Sequence, residues 1–105
     1  MSKIKVLQSN ADFNFPPEAL IQAAGPISDV PGLMWKVWIY DESKNHGGGW
    51  YMFESEETLQ AYIDSDIMKA FVNNPGVTNL DVKIFDVLEA PSLITRAPIG
   101  ETVAA

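Results

Sequence analysis

The sequence predicts an α+β fold in which one antiparallel sheet carries two helices on a single face. Three observations predict it: the elements follow the order β-α-β-β-α-β, a hairpin lies in the middle, and each break coincides with Pro, Gly or a helix cap. This is the split-βαβ, ferredoxin-like arrangement. At 105 residues the chain is long enough for one domain with a real core. We assign residues 1–90 to that domain and residues 91–105 to an extended C-terminal tail.

A strand and a helix are predicted first. Residues 3–8 alternate charged and apolar side chains, which is typical of a half-buried strand. The paired prolines at 16–17 suit the first turn of a helix that continues from Glu18. Proline removes a helical hydrogen bond, so the Gly25-Pro26 step predicts that this helix is short or kinked. The Pro-Gly pair at 31–32 then breaks the chain.

The middle of the chain predicts a hairpin whose strands are apolar on both faces. Its first strand, 32–42, places alternate side chains on opposite faces: Leu33, Trp35, Val37 and Ile39 on one, and Met34, Lys36, Trp38 and Tyr40 on the other. A loop and three glycines, 47–49, lead to a second strand over 50–54. Glycine-rich phosphate loops run from a strand into a helix, whereas this one runs into a strand, so we predict a hairpin entry.

A second helix and a last strand complete the order. Ser55 is a predicted N-cap, and the acids at 56–57 suit the positive end of a helix dipole. The helix is expected to bury one apolar stripe, formed by Leu59, Tyr62, Ile63, Ile67, Ala70 and Phe71. It ends at the Asn-Asn-Pro-Gly run, 73–76, and the last strand covers 77–88.

The aromatic side chains of the hairpin lie on both faces of the sheet, so something other than the two helices must bury the second face. Trp35 and Trp38 must point to opposite faces because their positions differ by an odd number. Two helices cover only one face, and an exposed face of Trp, Tyr and Phe would exceed the apolar patch that monomers usually tolerate. We therefore predict a homodimer in which two sheets pack face to face. Leu93, Ile94 and Ile99 of the tail are expected to pack on the partner subunit.

Composition excludes several functions. The net charge of −7 and the scattered basic residues argue against nucleic acid and anionic membranes as partners. The sequence has no apolar run long enough for a transmembrane helix, no signal peptide and no cysteine, which predicts a cytoplasmic protein. With one histidine and no cysteine, a Cys/His zinc site, a two-histidine iron site and an iron–sulfur cluster are excluded within one chain. We expect no metal.

The residues themselves leave the site open. His46 is the natural candidate for proton transfer because histidine ordinarily titrates near neutrality, but a solvated turn histidine fits its position equally well. The three tryptophans suit a core or an interface as well as a ligand platform. Lys36 lies between apolar residues of a strand, where it could reach the rim, pair with an acid or stabilise an anionic substrate.

The hairpin resembles that of the YdhR-type monooxygenases. The resemblance rests on three segments, PGLMWKVW at 31–38, KNH at 44–46 and GGWYMF at 48–53, and on VKIFDV at 82–87. It covers roughly residues 3–90 and implies a homodimer of ferredoxin-like domains, the dimeric α+β barrel. It also implies similarity to the monooxygenases of antibiotic biosynthesis, which oxidise phenolic polycyclic substrates with O2 and need no flavin, metal or haem.

That resemblance leads to a first hypothesis, a cofactor-independent monooxygenase acting on a small aromatic or phenolic compound. In it His46 handles protons, Asn45 and Tyr51 orient the substrate or a peroxy intermediate, and Lys36 favours the phenolate. The pocket walls are the three tryptophans, Trp35, Trp38 and Trp50.

Two other functions stay open. One is a non-catalytic dimer that binds a small molecule, and the other is a haem-degrading protein of the same fold, which would show a Soret band on haem titration. A sealed apolar cavity with Asn45 or His46 in its wall would favour the enzyme, and a solid core would favour the structural alternative.

Overall fold

A computed structural model describes residues 3–99 of the chain. The strands are β1 (Lys5–Phe13), β2 (Leu33–Asp41), β3 (His46–Phe53) and β4 (Val77–Asp86). They form one sheet in the order β2-β3-β1-β4, and all three neighbouring pairs are antiparallel. Together with the helices that follow β1 and β3, this order is the predicted ferredoxin-like fold.

The helices are shorter and more numerous than the sequence pattern predicts. A 3-10 turn (Pro17–Leu20) leads into α1 (Ile21–Ser28), and the single helix expected after Ser55 is two helices, α2 (Glu56–Ile63) and α3 (Asp66–Val72). Ser55 caps α2 as predicted, since its Oγ accepts a hydrogen bond of 3.2 Å from the backbone N–H of Thr58. Ser65 Oγ accepts one of 3.3 Å from Met68 N–H and so begins α3. A second cap explains the break that the apolar stripe alone did not reveal.

The C-terminal segment also differs from the expectation. Residues 91–94, expected to be extended, belong to a short helix, α4 (Glu89–Ile94). Residues 100–105 of the predicted tail lie outside the described part of the chain. In residues 3–99, none of the helices combines the length and the apolar character needed to cross a bilayer.

Strand β3 begins earlier than predicted and contains all three glycines. Gly48 pairs with Asn10 of β1 on one side and with Ile39 of β2 on the other. A Cβ at Gly48 would lie 1.8 Å from the carbonyl oxygen of Ser9, so the close approach of β1 requires glycine there. The expected hairpin entry is therefore a strand, because pairing on both sides outweighs the low strand propensity of glycine.

The helices cover one face of the sheet, where the main core lies. Its largest fully buried members are Leu7 of β1, Phe53 of β3 and Leu59 of α2. The register between β2 and β3 shifts between Leu33 and Trp35. Because of this irregularity Leu33 packs with the main core and Met34 packs on the other side, the reverse of the alternation predicted for these two residues.

The other face of the sheet, here called the open face, carries exposed apolar side chains. Val37 is 51% exposed, Trp50 42% and Phe85 47%. The segment 97–99 covers one end of this face, where Ile99 is fully buried among Ile4, Met52 and Val87. Ile99, expected on the partner subunit, therefore packs on its own chain, whereas Leu93 (44% exposed) and Ile94 (78% exposed) do not.

Candidate active site

A cavity of about 410 Å³ lies between the helix-covered face of the sheet and the helices. Strands β1, β2 and β3 and helices α1, α2 and α3 all contribute to its walls, which are mostly apolar. Its volume falls in the range of small-molecule sites, and a few polar groups interrupt the apolar wall, as in most such sites. The protein therefore has room for a small organic ligand at the centre of its fold.

Lys36 places an amine in this cavity. Its Nζ lies 3.4 Å from the centroid of the Trp38 ring and 4.3 Å from that of the Tyr51 ring. Strand alternation puts Lys36 and Trp38 on one face of β2, and the register pairs Lys36 with Tyr51 of β3. The amine is thus held against two aromatic faces, which attract a cation through their quadrupoles.

The surroundings of Lys36 disfavour its charged form. Among the described residues that line the cavity none is acidic, and the described ion pairs involve other cations. Burial lowers the pKa of Lys36 from 10.5 to about 7, because no carboxylate replaces the water that the ammonium loses. Near neutral pH a large fraction of this lysine is a free amine, which can accept a proton or attack an electrophile.

Three hydroxyl groups share the same cavity wall. Tyr62 Oη donates a hydrogen bond of 3.1 Å to Tyr51 Oη, and the Ser9 side chain is hydrogen-bonded to Tyr51 as well. Burial raises the pKa of Tyr51 and of Tyr62, so both phenols keep their protons across the physiological range. The cavity thus combines a free amine with a short chain of hydrogen-bond donors.

His46 belongs to a different cluster, on the open face. Its Nδ1 lies 2.7 Å from Asp12 Oδ1, across the β1–β3 ladder. Asn79 Nδ2 donates a hydrogen bond of 2.8 Å to the other oxygen of the same carboxylate. The pKa of Asp12 is lowered first by the Asn79 hydrogen bond and then by that of His46. Asp12 therefore holds the histidine ring in place by its Nδ1.

Asn45 lies in the turn between β2 and β3. Its φ of 50° is a left-handed conformation that asparagine tolerates better than most residues. Tyr40 Oη donates a hydrogen bond of 2.5 Å to Asn45 Oδ1, and the Asn45 carbonyl accepts one of 2.9 Å from Phe13 N–H. Through these contacts Asn45 stabilises the turn that joins β2 and β3.

The structure brings together three of the seven predicted site residues. Lys36, Trp38 and Tyr51 line the cavity. The other four lie outside its wall: Trp35, Trp50, Asn45 and His46. Trp35 packs beneath the C-terminal segment and donates a hydrogen bond of 3.2 Å from Nε1 to the carbonyl of Pro98, while Trp50 lies on the open face. The expected sealed cavity with Asn45 or His46 in its wall is therefore not found: the core is not solid, but the cavity is partly open to solvent and neither residue lines it.

Two hydroxyl-bearing residues of the cavity wall, Tyr62 and Ser9, were not among the predicted site residues. Tyr62 was placed in the buried stripe of the helix, where a phenol and a plain aromatic ring give the same pattern. Ser9 lies beyond the predicted end of the first strand. Continued alternation through Leu7, Ser9 and Ala11, all buried, was the signal that would have placed its hydroxyl on the helix-covered face.

The sequence matches one family model over most of its length. The model described as "Putative mono-oxygenase ydhR" matches residues 7–98, which include all four strands except the first two residues of β1. No curated protein matches the sequence at a significant level.

Several solved structures resemble the chain in fold. SnoaB, a cofactor-independent oxygenase from Streptomyces nogalater, has a TM-score of 0.65 at 5% identity, covering 84% of this chain and 96% of its own. An antibiotic biosynthesis monooxygenase homologue from Chloroflexus aurantiacus has a TM-score of 0.62 at 16% identity, with 81% and 93% coverage. The haem degrader MhuD from Mycobacterium tuberculosis has a TM-score of 0.59 at 18% identity, with 79% and 95% coverage. At these identities the likeness shows the ferredoxin-like fold.

Proposed function

The chain belongs to the family described as "Putative mono-oxygenase ydhR", and from this premise we propose that it is a cofactor-independent monooxygenase acting on a small phenolic compound. The substrate would lie in the cavity between the sheet and the helices. The observation that carries the proposal is the Lys36 amine, held against Trp38 and Tyr51 in a cavity whose described lining contains no acid.

The reaction inserts one oxygen atom of O2 and releases the other as water. A ring methylene of the substrate becomes a carbonyl, so that CH2 and O2 give C=O and H2O. The substrate supplies two electron pairs in total, and neither a flavin nor a metal is needed for the balance. Deprotonation of the substrate is the enabling step, because a phenolate or enolate is a far better electron donor to O2 than the neutral compound.

Lys36 is the proposed base. A general base works best when its pKa lies near the operating pH, and burial brings the pKa of Lys36 to about 7. After proton transfer the ammonium lies beside the substrate anion in an apolar cavity, where their attraction is stronger than in water. The same cavity walls keep water away from the oxygenated intermediate.

Tyr51 and Tyr62 form the proposed donor chain for developing negative charge: Tyr62 donates its O–H to Tyr51 Oη, so the O–H of Tyr51 is the one left to donate to the substrate. Their hydroxyls are already connected by a hydrogen bond and stay protonated near neutral pH. A peroxide or alkoxide oxygen that accepts a hydrogen bond from this chain would be stabilised without reorganisation of solvent. Trp38 would supply the aromatic wall for the substrate ring.

A direct test uses a dihydroxyanthracene-type substrate with and without O2. The expected result is product formation only in air, with one atom from ¹⁸O2 in the product and one O2 consumed per turnover. Lys36→Met should reduce kcat by about 10²-fold, the usual contribution of a general base. Lys69→Met, at an exposed lysine of α3, is the matched control and should retain activity.

The predicted roles of His46 and Asn45 are tested by the same assay. In the fold both residues lie away from the cavity wall, so we propose that proton transfer rests on Lys36 rather than on them. If the double variant His46→Ala, Asn45→Ala loses activity while Lys36→Met keeps it, the chemistry is on the open face. Tight binding of the substrate without turnover in air would favour the alternative function, a non-catalytic small-molecule-binding protein.

We also propose that the functional unit is a homodimer joined through the open face. The support is the exposure of Val37, Trp50 and Phe85 on one side of the sheet, which is costly in a monomer. A two-fold interface matches this patch with its own copy. Leu93 and Ile94, exposed on α4, are proposed to reach the partner subunit.

A further inference from the structure

Lys36 differs from the other described lysines that make close contacts. Lys5 pairs with Asp86 and Glu56, and Lys83 pairs with Asp81, so each of these ammonium groups has a carboxylate partner. Lys36 instead faces two aromatic rings inside a cavity of about 410 Å³. Among the described ion pairs none involves this amine, so no carboxylate competes with a ligand for it.

We propose that the cavity binds small aromatic aldehydes and ketones covalently, through a reversible imine on Nζ of Lys36. This activity goes beyond the oxygenase reaction and does not need O2. Aromatic carbonyl compounds would be a second class of ligand for the cavity, bound by a covalent bond to Lys36 in addition to packing against the walls.

The chemistry balances without any cofactor. The lone pair of the neutral amine attacks the carbonyl carbon, and the carbonyl oxygen takes up a proton to give a carbinolamine. Loss of that oxygen as water forms the C=N bond, and the net reaction is amine plus carbonyl compound plus one proton giving a protonated imine plus water. Hydrolysis reverses every step, so binding is reversible unless the imine is reduced.

The cavity contains groups for each step. Burial leaves a large fraction of Lys36 unprotonated near neutral pH, and only the unprotonated amine is a nucleophile. The hydroxyls of Ser9, Tyr51 and Tyr62 line the same cavity, and because Tyr51 Oη accepts hydrogen bonds from the other two, its own O–H can donate to the carbonyl oxygen and then to the departing water. Catalytic hydroxyl donors of this kind assist both addition and dehydration.

The walls select for an aromatic carbonyl compound. Nζ lies over the Trp38 and Tyr51 rings, so a planar ring attached to the new C=N bond would lie along aromatic surfaces. Phe15, Phe71 and Ile67 complete an apolar lining that favours burial of a fused ring system. A small hydrophilic aldehyde gains little from these walls.

Reductive trapping tests the proposal. The full chain is incubated with 2-naphthaldehyde and sodium cyanoborohydride under nitrogen at pH 7.4, and the modified peptide is identified by mass spectrometry. Lys36 should be labelled at least about tenfold faster than any other lysine, because its amine is desolvated with no carboxylate beside it, whereas Lys5 and Lys83 are each paired with a carboxylate. Labelling should become faster as the pH rises through about 7.

Two variants and one competing aldehyde decide the outcome. Lys36→Met and Lys36→Arg should both lose the fast label. Lys36→Arg is the sharper variant, because it keeps a cation against the rings but cannot form an imine. Equal labelling of all lysines, unchanged fast labelling in Lys36→Arg, or a preference for acetaldehyde over 2-naphthaldehyde would each overturn the proposal. The experiment excludes O2, so its result is independent of the oxygenase assay.

Discussion

Gly49 makes room for the Lys36 side chain. A Cβ at Gly49 would lie 2.4 Å from Cε of Lys36 and 3.4 Å from its Nζ. The register places Gly49 opposite Trp38. Because Gly49 has no side chain, the Lys36 side chain can occupy the space beside it and lie across the Trp38 ring. A glycine in a strand is costly by itself, and here its position accounts for the way the amine is held.

Gly49→Ala should therefore displace Lys36 from its two aromatic neighbours. The flexible lysine can move away from the new methyl group, so we expect the fold to persist and the pKa of Lys36 to rise toward its ordinary value. Titration of the ¹³Cε resonance of Lys36 measures this shift. Gly25→Ala is the matched control, because nothing lies within 4 Å of a Cβ built there. An unchanged Lys36 titration in Gly49→Ala would contradict this explanation.

Lys36 should also make stability depend on pH. Its pKa is about 7 in the folded protein and 10.5 in the reference state. Below pH 7 both states carry the charge and the folded state bears the full burial penalty. Between about pH 7 and 10.5 the unfolded state holds the extra proton, so stability rises with pH. Lys36→Met should be more stable than the parent by a few kcal/mol at pH 6, on the order that the shift implies.

Urea unfolding of parent and Lys36→Met at pH 6, 8 and 10 measures that difference. The advantage of the variant should shrink steadily as the pH rises. Lys69→Met, which removes an exposed lysine of α3, should show no such trend. A constant difference between parent and Lys36→Met at all three pH values would mean that the amine is not desolvated.

The order of the elements could be predicted from sequence because each break carries a local signal. Pro-Gly at 31–32 and the cap at Ser55 act within a few residues of the breaks that they cause. The extent of β3 could not be predicted in this way. Its glycines are held by pairing with β1 and β2 on either side, which is a tertiary effect.

The site could be predicted only in part for the same reason. Alternation shows that Lys36 and Trp38 share a face, and this holds in the structure. It does not show which face the helices cover, so the tryptophans on the other face were predicted to be walls as well. The contact between His46 and Asp12 could not be predicted either, because Asp12 is 34 residues away in sequence and only the β1–β3 register brings the two side chains together.

Asn79 should control the ionisation of Asp12. Its hydrogen bond is the first cause of the lowered pKa of that carboxyl, ahead of the contact with His46. Asn79→Gly removes the amide while it keeps the backbone free of strain, since Asn79 has φ of 56° and glycine accepts that conformation. The pKa of Asp12 should rise toward its ordinary value, as measured by NMR titration of the side-chain carboxyl.

The shift of Asp12 stabilises the fold whereas that of Lys36 destabilises it, yet both make stability rise with pH because in each the folded-state pKa is the lower one. A carboxyl with a lowered pKa contributes stability above its unfolded pKa of 3.8, and the contribution is lost as the pH falls through the lowered folded value. His46→Gln should shift the Asp12 titration less than Asn79→Gly does. A larger effect of His46→Gln would reverse the assigned order of the two hydrogen bonds.

Ile99 should stabilise the fold of its own chain. It is fully buried with Ile4, Met52 and Val87, so Ile99→Ala should cost about 2–4 kcal/mol in the free energy of unfolding. Urea denaturation measures the loss, which should be the same at all protein concentrations. Ile94→Ala is the comparison, because that side chain is 78% exposed and is proposed to reach the partner. Its cost should appear only as weaker association at low protein concentration.

Trp50 should be essential for association through the open face. It is 42% exposed on β3, an inner strand of the sheet, with Val37 of β2 beside it, so face-to-face packing would bury it near the centre of the interface. Trp50→Glu places an unpaired charge there and should weaken the dimer by at least about 100-fold in Kd. Sedimentation equilibrium should show the parent at twice the chain mass of 11.6 kDa and the variant near 11.6 kDa.

Ile21→Glu is the matched control for this experiment. Ile21 is 71% exposed, but it lies on α1, on the side of the sheet away from the open face. A charge there should leave the dimer intact, which separates loss of the interface from a general effect of replacing an exposed apolar residue. If Ile21→Glu dissociates the dimer and Trp50→Glu does not, the subunits associate through the helices. The apolar side chains of the open face would then not be buried by the dimer interface.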